Sequence, residues 1–228
     1  MQFLRTQMLI GQEALEKLSN SHVAVFGVGG VGGFVVEALA RAGIGHIYIF
    51  DFDKIDITNI NRQIIATHKT IGLKKVDVLK ERVLDINPTC KVEAFDIFYD
   101  ESNANNYKLD KYNYIIDAID SVKSKTLLIK KAYEANKKII SAMGAGNKIS
   151  PTLFEISTIS KTSVCPLARI MRKKLKDLGI TDLKVVYSKE KPVTTEQSQP
   201  GSMPYAPAIM GLIISSEVIK DLIQDDKK

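Results

Sequence analysis

The sequence is poor in the residues that build disulfide scaffolds and metal cages. Its 228 residues include two cysteines, Cys90 and Cys165, and three histidines, His22, His46 and His68. The cysteines lie far apart, and no Cys-x-x-Cys pair is present, so neither a disulfide framework nor a four-cysteine site is expected. The histidines lack ligand-like spacing, which argues against a structural zinc. No apolar run reaches the ~18 residues of a membrane span. The opening MQFLRTQMLI has no charged head, long apolar stretch or small-residue cleavage site. A cytoplasmic protein without membrane contact is expected. No aromatic-rich stacking motif of the kind used by RNA-reading sheets is visible.

What is present is ordinary for a globular chain: 45% hydrophobic and 25% charged residues, with 32 Lys+Arg against 26 Asp+Glu for a net charge of +6. This mild basic excess permits an RNA partner without demanding one. No linker cuts the chain, so residues 1–228 read as one domain. Short apolar runs alternate with helical patterns. Strands are expected at His22 to Val28, Ile47 to Asp53, Lys91 to Phe95, Tyr114 to Ile119 and Ile139 to Met143. Between them, Val31 to Ala42, Val76 to Ile86 and Lys123 to Asn136 carry apolar residues at helical spacing. This order predicts an α/β fold, a Rossmann-like, doubly wound, mainly parallel sheet with helices on both faces, over residues 1–150. Residues 151–228 read as a small C-terminal elaboration. Thr152 to Ser160 and Leu183 to Ser188 look like antiparallel edge strands, Pro166 to Leu178 like a basic helix, Lys189 to Pro204 like a polar loop, and Met210 to Leu222 like a closing helix.

Gly27, Gly29, Gly30 and Gly32 lie between the first strand and first helix, where backbone can approach a phosphate and the helix N-terminus offers free N–H groups. Asp51 ends the second strand, about 20 residues on, in position to accept bonds from a ribose. These features leave NAD, FAD and ATP open. Thr58 to Gln63 (TNINRQ) narrows the choice, because a triphosphate needs side-chain donors beyond a glycine loop. Arg62 offers a forked donor, Asn59 an amide and Lys75 a point charge at the next helix start. Asp120, at the end of the fourth strand, can hold Mg²⁺ against phosphate oxygens. Each has an ordinary alternative: a solvated charge for Arg62 and Lys75, a turn for Asn59, a helix cap for Asp120.

The glycine loop, Asp51 to Asp53 (DFD), TNINRQ, Gly72 to Lys75 (GLKK), Asp117 to Asp120 (DAID) and Phe3 to Gly11 resemble the adenylating domain of the ubiquitin-activating superfamily. Five further segments resemble its tRNA threonylcarbamoyladenosine dehydratase branch. They are Asp117 to Lys123, Ser141 to Thr152 (SAMGAGNKISPT), Cys165 to Arg172 (CPLARIMR), Val186 to Glu190 (VYSKE) and Pro200 to Pro204 (PGSMP).

The resemblance implies ATP-dependent cyclisation of a modified adenosine in tRNA, with Mg²⁺ as cofactor and a homodimer as the working form. It places Gly27, Gly29, Gly30, Gly32, Asp51, Asp53, Asn59, Arg62, Gln63, Lys75 and Asp120 at ATP, with Lys74 as the alternative to Lys75. Arg62, Lys75 and Asp120 would act in catalysis. Arg5 would join them across the dimer interface. Cys165 is either a nucleophile or a small residue at the start of its helix. Arg169, Arg172, Lys173 and Lys176 are candidates for tRNA phosphates, and Lys123, Lys125, Lys130 and Lys131 form a second basic group. Two other readings stay open: adenylation of a sulfur-carrier or ubiquitin-like protein tail, and a non-catalytic or NAD-dependent nucleotide binder.

Overall fold

The computed structural model describes residues 2–194, 196 and 199–224. Residues 195, 197 and 198 of the polar loop lie outside the described residues. Seven strands form one sheet: β1 His22–Phe26, β2 His46–Asp51, β3 Lys91–Asp96, β4 Tyr114–Asp117, β5 Ile139–Ala142, β6 Phe154–Thr158 and β7 Lys184–Ser188. Their spatial order is β3-β2-β1-β4-β5-β7-β6. All neighbours are parallel except β6 and β7.

This order corrects one expectation. The run Leu183 to Ser188 is not an edge strand. Its β7 pairs in parallel with β5 through Ile140↔Lys184 and carries β6 on its outer side. Valines 185 and 186 are both buried, as a strand covered on both faces requires. Among the described strands only β6 is antiparallel, and it forms the edge opposite β3.

The helices are α1 Leu4–Ile10, α2 Gln12–Ser19, α3 Gly32–Ala42, α4 Lys75–Ile86, α5 Val122–Glu134, α6 Pro166–Asp177 and α7 Tyr205–Ile223. The first two, α1 and α2, have no counterpart in the sequence reading. Val23 and Val25 of β1 face a core built with Val35, Leu39, Leu79, Met210, Ile214 and Val218 from α3, α4 and α7. Ala24 and Phe26 face a second core with Leu128 and Ile129 of α5 and Met171 and Leu175 of α6. The period-2 alternation of a strand thus feeds two layers at once. No described helix is long and apolar enough to cross a membrane.

Two features bring the site together. The order in which the chain adds strands switches sides between the parallel neighbours β1 and β4, which opens a crevice beyond the C-terminal strand ends. In addition, α7 runs close beside the glycine loop. A side chain at Gly211 would meet the Val31 carbonyl oxygen at 2.5 Å, and one at Gly30 would meet Pro207 at 3.2 Å.

Candidate active site

A cavity of about 450 Å³ occupies this crevice. Its lining includes Gly27, Gly29 and Gly30 after β1, Asp51 to Asp53 after β2, Ala118 to Asp120 after β4, and Ala142 to Gly146 after β5. Such a volume suits a small-molecule site.

The glycine loop is held tightly. Gly27 has φ +83°, and a Cβ there would lie 2.6 Å from the Ala118 carbonyl oxygen. At Gly32 a Cβ would come within 1.9 Å of the Gly27 carbonyl oxygen, which no side chain could avoid. Gly32 itself opens α3 and does not line the cavity, so its role is to let the turn close. Asp51 braces the loop. Its Oδ2 accepts from the Val28 N–H at 2.7 Å, and its Oδ1 accepts from the Asp53 N–H at 2.9 Å. Burial pushes its carboxyl above the usual range, against the opposing pull of Lys75 and the two backbone donors. Each oxygen keeps a lone pair for a ligand hydroxyl.

The TNINRQ segment forms a 3₁₀ turn, Ile57–Asn59, capped by Asp56. Asp56 Oδ1 accepts from the Thr58 N–H at 2.8 Å, while Asn59 Oδ1 accepts from the Asp56 N–H at 3.1 Å. This reciprocal cap buries Asn59 and turns Arg62 and Gln63 toward the cavity, which all three line. The Arg62 guanidinium donates to the Thr58 carbonyl and to Asn61 Oδ1, at 2.8 and 2.9 Å. Gln63 Oε1 is buried without a hydrogen-bond partner.

Lys75 and Lys74 part company at the start of α4. Lys75 is 5% exposed, lines the cavity and places its ammonium 2.6 Å from Asp53. Lys74 pairs with Asp96 at 2.8 Å and does not line the cavity. Of the three carboxylates at the cavity, Asp51 is engaged by backbone donors and Asp53 by Lys75, whereas Asp120 is exposed. Among the described residues no three His, Cys, Asp or Glu side chains are grouped for a metal. A single carboxylate beside a phosphate site fits Mg²⁺, which is usually held by one or two carboxylates together with substrate phosphates.

Several lining residues escape sequence reasoning. Phe52 and Phe98 meet edge to face, 4.9 Å between centroids, and Ile97 and Tyr99 stand beside them. Tyr99 lies in the stretch 99–106, which has no clear pattern, and burial pushes its phenol up to about 12. Met143, Leu167, Pro200, Gly201, Ser202 and Pro207 complete the wall. Nothing in the local run Phe95 to Asp100 (FDIFYD) flags the Phe98 side as part of a site.

Other expected residues fall outside the cavity. Arg5 is exposed on α1 and does not line the cavity of its own chain. Cys165 is 2% exposed at the N-cap of α6, and its Sγ lies 3.5 Å from where a Cβ on Gly144 would be, behind the cavity wall. On α6, Arg169, Lys173 and Lys176 are exposed, while the Arg172 guanidinium is tied to the carbonyl and hydroxyl oxygens of Thr162. The second basic group also divides. Lys125 is fully buried, pairing with Asp117 at 2.7 Å and donating to Ser141 Oγ and the Ala142 carbonyl at 3.1 and 2.9 Å. It cannot meet a polyanion from there.

A model of the ThiF family matches residues 3–228. The chain is 41% identical to the tRNA threonylcarbamoyladenosine dehydratase of Bacillus subtilis (strain 168), over 98% of this chain and 95% of that protein. Its backbone also superposes on crystal structures of the Escherichia coli tRNA N6-threonylcarbamoyladenosine dehydratase in complex with AMP (TM-score 0.94) and with ATP (TM-score 0.93). Each is 36% identical and covers 98% of this chain and 94% of its own.

Proposed function

Since the chain belongs to the ThiF family, we propose that it is an ATP-dependent tRNA threonylcarbamoyladenosine dehydratase. The observation that carries this reading is the meeting of the glycine loop, Asp51, Asn59, Arg62, Gln63, Lys75 and Asp120 on one cavity. In a relative matched nearly end to end, the chemistry bears that name.

The reaction runs in two steps. The threonyl carboxylate, already ionised near neutral pH, attacks the α-phosphorus of ATP without a general base. A phosphorus–oxygen bond forms, the α–β bridge breaks, and pyrophosphate leaves with the electron pair. A nucleophilic atom of the carbamoyl group then attacks the activated carbonyl, closes a ring, gives up its proton and expels AMP with one former carboxylate oxygen. The net change to the nucleoside is the loss of one water. Because the second nucleophile sits in the same molecule, proximity does much of the work and no covalent enzyme intermediate is needed.

The protein supplies position and charge. Asp51 takes the ribose while it holds the glycine loop in shape. Arg62 and Lys75 neutralise phosphate oxygens where charge builds up, with Asn59 and Gln63 as amide partners. Bound Mg²⁺ adds charge neutralisation at the phosphates, and Asp120 is the residue to hold it. The exposed face of Arg169, Lys173 and Lys176 takes tRNA phosphates, which makes binding salt-sensitive. The enzyme works in the cytoplasm as a homodimer, in which Arg5 reaches the partner's ATP.

Mass spectrometry of digested tRNA is the direct test. tRNA carrying threonylcarbamoyladenosine, incubated with the protein, ATP and Mg²⁺, should lose one water from that nucleoside only when ATP is present. An unchanged nucleoside, with the modification verified beforehand and ATP shown to bind, would refute the reading in favour of a carrier-protein tail as acceptor.

A further inference from the structure

The nucleotide accounts for only part of the cavity wall. The ends of β1, β2 and β4, with the turn at Asn59 to Gln63 and Lys75, surround the groups assigned above to ribose and phosphates. Besides Ile97 to Tyr99 and Leu167, the end of β5, residues 142–146, and the segment Pro200 to Ser202 are left over. What fixes that second segment is a residue that does not itself line the cavity.

Asn147 and Gly201 exchange hydrogen bonds. The Asn147 N–H donates to the Gly201 carbonyl at 2.8 Å, and the Gly201 N–H donates to Asn147 Oδ1 at 2.6 Å. The Asn147 carbonyl accepts from the Val193 N–H at 2.9 Å. Asn147 adopts φ 55°, a left-handed conformation that asparagine tolerates better than most residues. The contact is close as well as bonded. A Cβ on the preceding Gly146 would come within 2.8 Å of Pro200 Cβ. On its far side the segment is pinned again, where Asn61 Nδ2 donates to the Ser202 carbonyl at 3.0 Å.

The base to which Asn147 belongs is itself held. Ile149 and Ser150 donate their N–H groups to the Glu190 carboxylate, at 3.1 and 2.9 Å, and the buried Lys148 ammonium donates to the Glu190 carbonyl. Asn147 therefore passes the rigidity of residues 148–150 and 190 to a stretch of cavity wall with no regular secondary structure of its own.

We infer that Asn147 is a positioning residue for the acceptor. By fixing Gly201 it sets the wall against which the threonyl end of the modified nucleoside lies, without touching the nucleotide. This rests on the function proposed above.

Two substitutions separate its side chain from its backbone. Asn147→Gly keeps the left-handed backbone and its N–H but removes the acceptor for Gly201. Asn147→Asp keeps an acceptor oxygen. The expected result is that N147G lowers kcat/KM for the modified tRNA roughly three- to tenfold, the equivalent of one lost hydrogen bond. KM for ATP should stay within about twofold, as no ATP contact is removed. N147D should restore most of the loss. Hydrogen exchange should show the Gly201 amide protected in the wild type and faster in N147G. Unchanged tRNA kinetics, an equal loss toward ATP, failure of N147D to rescue, or unaltered Gly201 exchange would each overturn the inference while leaving the proposed function intact. A wild-type protein that cyclises no modified tRNA would instead refute that function, and the acceptor role of Asn147 with it.

Discussion

The Lys75 ammonium lies 2.6 Å from the Asp53 carboxylate, with the lysine side chain buried and the aspartate half exposed. The cation proposed to bind phosphate is therefore held in place by a counter-ion at the cavity wall, with which an arriving triphosphate would compete. Asp53 also donates its N–H to Asp51 and accepts from the Lys75 N–H at 3.0 Å, so one residue links the proposed ribose and phosphate subsites.

Lys75→Met should lower the rate of pyrophosphate release about 100-fold or more, as expected for removal of one preorganised charge from a developing anion. The half-exposed Asp53 left behind can be solvated, so stability should change by no more than about 1 kcal/mol. Steady-state pyrophosphate assays and urea denaturation check the two parts separately.

Asp120→Ala should abolish pyrophosphate release at any Mg²⁺ concentration while the thermal midpoint stays within a few degrees, because the side chain is exposed. Retained activity would remove Asp120 from the metal role.

Asp117 and Lys125 pose the opposite case, an ion pair with both side chains at 0% exposure. Burial pushes the Asp117 carboxyl up, and the Lys125 ammonium opposes that shift. Lys125→Met leaves the carboxyl buried without its charge partner and should cost about 3–5 kcal/mol in urea unfolding. Removing both charges, in Asp117→Asn with Lys125→Met, should recover part of that loss.

Cys165→Ser should leave cyclisation within about twofold of wild type, since the thiol sits behind the cavity wall and the proposed ring closure needs no covalent intermediate. Complete loss, in a variant that still binds ATP, would make the thiol a nucleophile.

At the other end of the sheet, His22 and His46 stack with centroids 3.9 Å apart. Burial holds both below the ordinary value of 6.5. Nearby Lys111 and Lys91 add to this at His22, and at His46 the other histidine and Lys91 do the same, against Glu93 in each case. A histidine whose pKa is depressed by folding binds protons more readily when unfolded. Its contribution is present above pH 6.5 and is lost as pH falls through 6.5 toward the folded value. Thermal midpoints should thus fall on acidification from pH 7.5 to 5.5. The double variant His22→Gln, His46→Gln should show a shallower fall, and an identical profile would dismiss the pair.

How much of this was legible in the sequence depended on whether the signal was local. The glycine loop, Asp51 and TNINRQ could be read because each is a short run whose chemistry is carried by its own neighbours. The strands could be read from apolar runs, but the place of β7 could not: a run such as LKVVYS reads the same at an edge as between β5 and β6. Lys125 was misjudged for a related reason. Composition assigns lysines on a helix to solvent, and nothing nearby announces that Asp117 waits underneath. Phe98 was invisible because it reaches the cavity only through the folded sheet, from a point in the chain with no pattern of its own, and Gly201, although inside the PGSMP segment, carried no site role because its place at the cavity depends on the distant Asn147.

The insertion of β7 between β5 and β6 also bears on how the protein is made. Emerging from the ribosome N-terminus first, the chain offers the glycine loop and Asp51 early, whereas β7, the 200–202 wall and α7 arrive last. Until α7 docks, the glycine loop lacks the helix that packs against it at Gly30 and Val31, and the proposed ATP site is not braced. Nucleotide binding is thus expected to need α7, and ATP should protect the 228-residue chain from proteolysis but not a version that ends before α7.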